Sequence, residues 1–302
     1  MNELHVGGVP EHFNLPWFHV VENPARRLGP ANQEPRGDGD TTVVWHEQRG
    51  GTGQMMQQLG DGTLDVAIAL TEGIVTAIAK GLPARIVRFY TTTPLQWGVH
   101  VAAGSSIGEE ADIGPDHRYA VSRLGSGSHL MAHVLADRLG HTVADDRFVI
   151  VGDIDGARQA LADGDADLFL WDRFMTSLYV DNGEFRRVGV QPTPWPAFAV
   201  AARTDVLADR RAEVDDVLDA VAAAGQSFAA RPADAAVAEV VERFGLADHQ
   251  ARDWFASTAW DDGNPADPAL IDPVQQRLVA LGLIDAPVPL DRLLADSAPM
   301  SD

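Results

Sequence analysis

The chain has 302 residues, 45% of them hydrophobic, which suits two lobes of about 150 residues rather than one ordinary domain. Acidic residues outnumber basic ones by 44 to 23, so the net charge of −21 argues against nucleic acid or anionic membranes as partners. The chain contains no cysteine, which excludes disulfides, thiolate chemistry and cysteine-bound metals.

Apolar runs and turn signals predict a series of strands and helices in the first 203 residues. The predicted strands are Leu4–Val9, Thr42–Trp45, Val66–Leu70, Ile86–Tyr90, Gln96–Ala102, Tyr119–Ser122, Phe148–Val151, Leu168–Leu170, Arg186–Val190 and Ala197–Ala202. Helices are predicted to begin near Asn14, Gln54, Glu72, Leu130 and Gly156. Repeated strand, turn and helix units predict an α/β fold in which each lobe is a mostly parallel sheet flanked by helices.

One phrase occurs twice, as LGDGTLDVAIAL at 59–70 and LADGDADLFLWD at 161–172. Each copy combines a helix end, a glycine turn and a short apolar run typical of a buried parallel strand. The strands end in polar tips, Thr71-Glu72 in the first copy and Asp172-Arg173 in the second. We therefore expect two similar lobes with a ligand cleft between them, and Glu72 and Asp172 opposite each other across it.

The character of the chain changes after Asp205, where alanine-rich amphipathic segments continue to residue 281 without a new strand. These helices are expected to pack on the first lobe, which makes that lobe discontinuous. The predicted division is residues 1–103 plus 197–302 for lobe 1 and residues 104–196 for lobe 2.

Two glycine-rich turns, GGTG at 50–53 and GSGS at 125–128, each precede a helix. Such a turn presents backbone N–H groups at the positive end of a helix and suits a carboxylate, sulfonate, phosphate or carbonyl, although glycines can also serve only a tight turn. Neither turn fits the P-loop, the dinucleotide fingerprint or the nucleophile elbow, so ATP, NAD and serine hydrolysis lose support.

His129 and His133 have the spacing of a two-histidine metal site, but Leu130 stands where the metalloprotease pattern needs glutamate, so no metal is expected. Glu72 and Asp172 suit acid–base work or acceptance of a ligand N–H, and equally a local cap or salt bridge. Among the aromatic residues, Trp17 and Phe174 are expected in the core, whereas Trp97, Trp171 and Trp195 are candidates to cover a ligand.

Several blocks, in this order, resemble a type II periplasmic-binding-protein-like family, in the branch that binds sulfonates and thiamine pyrimidine precursors. They are VGGVPEHFNLPW, GGTGQM, DVAIALTEGIV, SRLGSGSHLMA, DGARQAL and QPTPWPAF, and they cover about residues 4–203. The resemblance implies two lobes joined by two crossings, a ligand between them, and hinge closure. It places the binding regions at His12, Phe13, Gly51, Thr52, Gly53, Thr71, Glu72, Gly125, Ser126, Gly127, Ser128, His129, Trp171 and Asp172.

One branch of that superfamily makes the thiamine pyrimidine by consuming its own histidine and a lysine-bound pyridoxal phosphate. Its cysteine-rich iron motif is absent, and the sole lysine, Lys80, lies at a predicted helix end away from the cleft. No cofactor is expected.

The sequence thus predicts a solute-binding protein whose partners are a small organic ligand and, in a transport role, a permease of the ABC-transporter class; membrane insertion is not expected. The rival is an enzyme of heterocycle metabolism using Glu72, Asp172 and His12 or His129 as acid–base groups, and a third reading is a sensor that binds another protein. The N-terminus lacks a signal peptide and a lipid-modified cysteine, which favours a cytoplasmic protein. The alternative is an exported protein whose signal has been removed.

Overall fold

The computed structural model describes residues 2–22 and 41–296. Its ten strands are β1 Asn2–Gly8, β2 Thr41–Glu47, β3 Val66–Leu70, β4 Ala84–Phe89, β5 Gln96–Ala102, β6 Tyr119–Val121, β7 Phe148–Ile150, β8 Leu168–Asp172, β9 Phe185–Pro192 and β10 Phe198–Arg203. The described α-helices are α1 Leu15–Val21, α2 Gly51–Asp61, α3 Thr71–Ala79, α4 Gly127–Arg138, α5 Ile154–Asp163, α6 Ser177–Asp181, α7 Thr204–Ala229, α8 Ala233–Phe244, α9 Asp248–Ser257, α10 Ile271–Ala280 and α11 Leu290–Leu293.

The chain divides into two compact units, residues 1–93 with 195–302 and residues 94–194. The first unit contains a sheet in the order β2-β1-β3-β10-β4, together with the C-terminal helices α7 to α11. In this sheet β10 runs antiparallel to both its neighbours, while β1 pairs in parallel with β2 and β3.

The second unit repeats this plan with the order β7-β6-β8-β5-β9. Here β6 pairs in parallel with β7 and β8, and β5 runs antiparallel to β8 and β9. In both units the antiparallel strand is the one that follows a crossing from the other unit. The prediction of two mostly parallel α/β sheets is confirmed, with one reversed strand in each.

The boundary between the units differs from the expectation. The predicted boundary at residue 103 assigned Gln96–Ala102 to the first lobe, but β5 pairs only with β8 and β9 and so belongs to the second sheet. The first crossing therefore lies between Thr93 and Pro94, and the return crossing between Pro194 and Trp195, two residues before the predicted 196/197 boundary.

The doubled phrase has the same structure in both units. The helices α2 and α5 end at left-handed glycines, Gly62 with φ +83° and Gly164 with φ +74°. The aspartate three positions after each glycine accepts an N–H from the neighbouring parallel strand or its entry: Asp65 from His5 at 2.9 Å, and Asp167 from Arg118 at 2.7 Å. Each copy thus holds the neighbouring parallel strand, β1 or β6, beside the buried strand that ends the copy.

Candidate functional site

In the first unit, the end of β3 leads into α3 without a loop, so Thr71 and Glu72 lie in the first helical turn. The Thr71 hydroxyl donates to the carbonyl of Pro196 at 2.7 Å, and its amide donates to that of Ala197 at 3.1 Å. The indole of Trp195 donates to Oε2 of Glu72 at 2.8 Å. The returning chain is therefore bonded directly to the polar tip that the sequence predicted.

Glu72 is only 3% exposed, and its second oxygen, Oε1, is buried without a hydrogen-bond partner. Burial raises the pKa of Glu72 to about 7, a rise that hydrogen bonds from its own backbone and from Trp195 partly offset. This carboxyl group can therefore gain or lose a proton near neutral pH, and it has one oxygen free to accept a donor.

The GGTG turn lies at the start of α2, which begins at Gly51, three residues before the predicted Gln54. Gly51 has φ +65°, and its amide donates to the carbonyl of Gln48 at 3.1 Å. The Thr52 hydroxyl accepts the amide of Leu70 at 3.2 Å, which ties the helix start to the end of β3. The amides of Thr52 and Gly53 remain in the first turn, where a helix offers no carbonyl of its own.

His12 and Phe13 lie in a buried aromatic cluster of the first unit. The His12 ring stacks on Trp254 with centroids 4.9 Å apart and planes at 11°, and burial lowers the pKa of His12 to about 3. With this low pKa, the His12 imidazole stays neutral across the physiological range. The Phe13 carbonyl accepts from the Tyr90 hydroxyl at 2.7 Å and from the Trp260 indole at 3.0 Å.

In the second unit, Asp172 ends β8 and is 6% exposed. Its Oδ1 accepts the amides of Phe174 and Met175, both at 2.9 Å, whereas Oδ2 is buried without a hydrogen-bond partner. Burial raises the pKa of Asp172 to about 6, against the opposing effect of these amides and of nearby arginines. Glu72 and Asp172 are thus alike: each is a buried carboxyl group with one oxygen engaged and the other without a donor.

Trp97 and Trp171 belong to opposite faces of the second sheet. Trp97 pairs directly with Asp172 across β5 and β8, so the two side chains share a face. Trp171 stacks on Phe169 at 5.4 Å, packs against the core cluster on the α5 side, and remains half-buried. Of these two, Trp97 is the indole beside the carboxyl group.

The GSGS turn is built around the start of α4, which begins at Gly127 rather than at the predicted Leu130. Gly125, with φ +76°, donates its amide to Nδ1 of His129 at 3.1 Å, and the Ser126 hydroxyl caps the helix by accepting the His129 amide at 3.3 Å. The Ser126 and Ser128 hydroxyls lie 3.0 Å apart. The amides of Gly127 and Ser128 are left at the helix start.

Burial lowers the pKa of His129, and its Nδ1 accepts a hydrogen bond from the amide of Gly125. Both features favour the neutral imidazole. Its ring meets that of His133 edge-on, with centroids 4.8 Å apart. Within residues 2–22 and 41–296, no three histidine, aspartate or glutamate residues form a group that could hold a metal ion.

Two polar residues that the sequence analysis did not select flank the end of β1. Asn14 donates to the carbonyl of Val9 at 2.7 Å, and its Oδ1 is buried without a hydrogen-bond partner, as is Oε1 of Gln48. A Cβ at Gly8 would lie 3.0 Å from Nδ2 of Asn14. The glycine pair that ends β1 was the only local signal for this polar patch.

Two α/β units, each with a single reversed strand after a crossing, are the arrangement of the periplasmic-binding-protein fold. The chain has this fold, as its sequence predicted. Residues 97–190, within the second unit, match the model of the Ca3427-like PBP family.

Three solved structures illustrate the range of proteins with a similar fold. The Candida albicans CA3427 gene product, which defines a family with the generic periplasmic binding protein fold, is 23% identical with TM-score 0.83, and each chain is covered fully. The alkanesulfonate-binding protein SsuA from Xanthomonas axonopodis pv. citri, bound to MOPS, is 18% identical with TM-score 0.75 over 97% of this chain and 96% of that one. The desulfurization enzyme DSZB is 16% identical with TM-score 0.61 over 98% and 96%.

No curated protein sequence matches the chain. Of the helices in the described part of the chain, none combines the length and the apolar character that crossing a membrane requires.

Proposed function

We propose that the chain is a solute-binding protein for a small organic ligand that carries at least one hydrogen-bond donor. The observation that carries this proposal is the pair of buried strand-tip carboxyl groups, Glu72 and Asp172, each with one oxygen that lacks a donor. Leaving a buried acceptor unpaired costs about 1–3 kcal/mol, so a ligand N–H or O–H that satisfies it gains that much.

The remaining contacts follow from the helix starts and the indoles. The first-turn amides of α2 and α4 suit the anionic or carbonyl end of the ligand, because the helix dipole favours negative charge there. Trp97 and Trp195 are the candidates to cover its apolar body, whereas Trp171 lies on the opposite face of the second sheet from Asp172. As the sequence predicts, we propose that both lobes contribute to holding the ligand and close on it.

A thermal-shift screen followed by calorimetry tests the proposal. The panel comprises sulfonates, carboxylates and pyrimidines, each class with and without amino and amide groups. We expect at least one donor-bearing member to bind, and a panel with no ligand would contradict the proposal.

Once a ligand is found, Glu72→Gln should weaken its binding by about 1–3 kcal/mol, roughly 5- to 150-fold. The reason is that the amide is a weaker, uncharged acceptor and can place its NH₂ group where the ligand needs an oxygen. The matched control is Glu242→Gln on the exposed surface of α8, which should bind like the wild type. Unchanged affinity in Glu72→Gln would remove this residue from the site.

For the partner, we propose a transporter permease, in keeping with the resemblance to importer binding proteins; a sensor that binds another protein is the alternative. Affinity capture from detergent-solubilised membranes and from the soluble fraction, with and without ligand, separates the two. A permease enriched by the ligand-loaded protein supports transport, and a soluble partner enriched in its place supports the sensor.

An enzyme is the second candidate function, and one observation favours it. The pKa values of Glu72 and Asp172, about 7 and about 6, suit proton transfer near neutral pH, and a desulfurization enzyme has the same fold. Product formed from a bound panel member under single-turnover conditions would establish catalysis, whereas full recovery of the ligand would support binding alone.

A further inference from the structure

Asp172 and Trp97 place an unpaired acceptor and an unpaired donor on one face of the second sheet. The two residues are direct cross-strand partners in β8 and β5, which brings their Cβ atoms to about 4.5–5.5 Å. Both side chains are more than nine-tenths buried, with exposures of 6% and 4%. Neither Oδ2 of Asp172 nor Nε1 of Trp97 has a hydrogen-bond partner, so the two atoms do not satisfy each other.

The neighbouring polar side chain on this face is already engaged. Gln191 is the partner of Trp97 on its other side, in β9. Its Oε1 accepts from Nε of Arg138 at 2.6 Å, and its Nε2 donates to the carbonyl of Pro192 at 2.7 Å. The amide oxygen that could have accepted the indole N–H is thus committed to an arginine.

The carboxyl group is also held in place. Its Oδ1 accepts the amides of Phe174 and Met175, and these two bonds restrain the orientation of the carboxyl group. A buried donor and a buried acceptor that are both oriented and both unpaired weaken the folded state unless a third group completes them.

We propose that Trp97 and Asp172 form a subsite for a neutral ligand group that donates and accepts at once, namely a hydroxyl or a primary carboxamide. Such a group donates its O–H or N–H to Oδ2 of Asp172. Its oxygen accepts the indole N–H of Trp97. An anionic group has no donor for the carboxylate, and an ammonium group has no acceptor for the indole. The inference deepens the proposed solute-binding function and rests on it.

The first arm of the test needs no ligand. Asp172→Asn retains an oxygen for the two amides and removes a buried charge with no donor on Oδ2, so we expect the melting temperature at pH 8 to rise by about 2–4 °C. Asp167→Asn is the matched control in the same segment, because Asp167 accepts from the backbone and side chain of Arg118, and this variant should melt lower. A melting temperature that falls in both variants would show that Oδ2 is bonded in the folded protein and would overturn the inference.

The second arm uses matched probes in calorimetry: ethanesulfonate against isethionate, and butyrate against 4-hydroxybutyrate and succinamate. The wild type should bind the hydroxyl or carboxamide member at least tenfold more tightly, and Trp97→Phe and Asp172→Asn should reduce this ratio to within twofold. A ratio near one in the wild type, or one that survives both substitutions, would overturn the inference and leave the solute-binding proposal standing. If no probe binds while Asp172→Asn raises the melting temperature, the result counts against the proposed ligand classes and supports the unpaired carboxylate.

Discussion

Trp195 donates its indole N–H to Glu72 at 2.8 Å, which joins the first residue after the return crossing to the first turn of α3. The two residues are separated by 123 positions in sequence. Because the bond uses Oε2, the same carboxyl group is both anchored by the returning chain and open at Oε1. Oε2 is thus engaged within the fold, and Oε1 is the oxygen that the proposed function assigns to the ligand.

The pH dependence of stability should reveal the buried Glu72 carboxyl group. Its pKa of about 7 in the folded protein lies above the ordinary value of 4.5, so the folded state holds the proton longer than the unfolded state does. The free energy of unfolding should then fall as the pH rises from about 4.5 to about 7, by up to roughly 3 kcal/mol for this group.

Glu72→Gln removes that slope, because the amide does not titrate. Urea denaturation of the wild type and the variant at pH 5, 6, 7 and 8 measures the difference. Parallel curves for the two proteins would contradict the raised pKa.

A double-mutant cycle isolates the bond between Trp195 and Glu72. Trp195→Phe removes the indole donor from Oε2 of Glu72, so the single variant should lose more stability at pH 8 than its lost contact area explains. We expect a coupling energy of about 1–2 kcal/mol in the cycle with Glu72→Leu, which has no acceptor for the indole, obtained from urea denaturation. A coupling energy within 0.3 kcal/mol of zero, roughly the limit of additivity, would mean that the bond contributes nothing.

Gly73 allows α3 to pass close to the start of α2. A Cβ at Gly73 would lie 2.4 Å from Cγ2 of Thr52, so Gly73→Ala should destabilise the protein by about 1–3 kcal/mol and displace the GGTG turn. Thr52→Ser removes the obstructing methyl group but keeps the hydroxyl that accepts from Leu70, and the double variant should recover most of the loss.

Gly60→Ala is the control, because its Cβ would meet only an ordinary contact with Leu82 at 3.4 Å. Alanine in the last turn of α2 should leave the stability unchanged or raise it by up to about 1 kcal/mol. Thermal unfolding of the three variants decides the matter, and equal melting temperatures for Gly73→Ala and Gly60→Ala would refute the close approach.

The absence of a side chain at Gly98 leaves room for the His100 imidazole on the second sheet. A Cβ at Gly98 would lie 2.4 Å from Cε1 of His100, whose Nε2 is 2.9 Å from the Thr176 hydroxyl. Gly98→Ala should lower the free energy of unfolding by about 1–3 kcal/mol. Gly104→Ala, where a Cβ meets nothing within 4 Å, should change it by less than about 0.5 kcal/mol. Chemical denaturation compares the two, and a neutral Gly98→Ala would show that the ring can move aside.

The doubled phrase predicted much of the fold, because helix end, left-handed glycine and buried strand are all local signals. The same phrase pointed to Glu72 and Asp172, and Trp17 and Phe174 are buried as expected. The sequence did not distinguish Asp65 and Asp167, which hold neighbouring strands, from Glu72 and Asp172, which each keep a buried oxygen without a donor. That difference depends on which donors the fold brings near each acid.

The sheet to which β5 belongs could not be predicted locally either. A buried apolar strand has the same pattern in either sheet, and only its pairing with β8 and β9 decides the boundary. Likewise, the stacking of His12 on Trp254 joins residues more than 240 positions apart, a contact that no local periodicity contains.

The second unit is one continuous segment whose two ends are neighbours. Leu95 and Thr193 exchange hydrogen bonds of 2.9 and 3.0 Å, and Gln96 pairs with Pro192 in the β5–β9 ladder. A segment that begins and ends at one place has the geometry of an inserted domain, which a host can accept without separating its own flanking strands. Residues 94–194 are therefore the natural piece to exchange when chimaeras with other proteins of this fold are made, and loops at the far end of the unit are the places to open the chain for circular permutation.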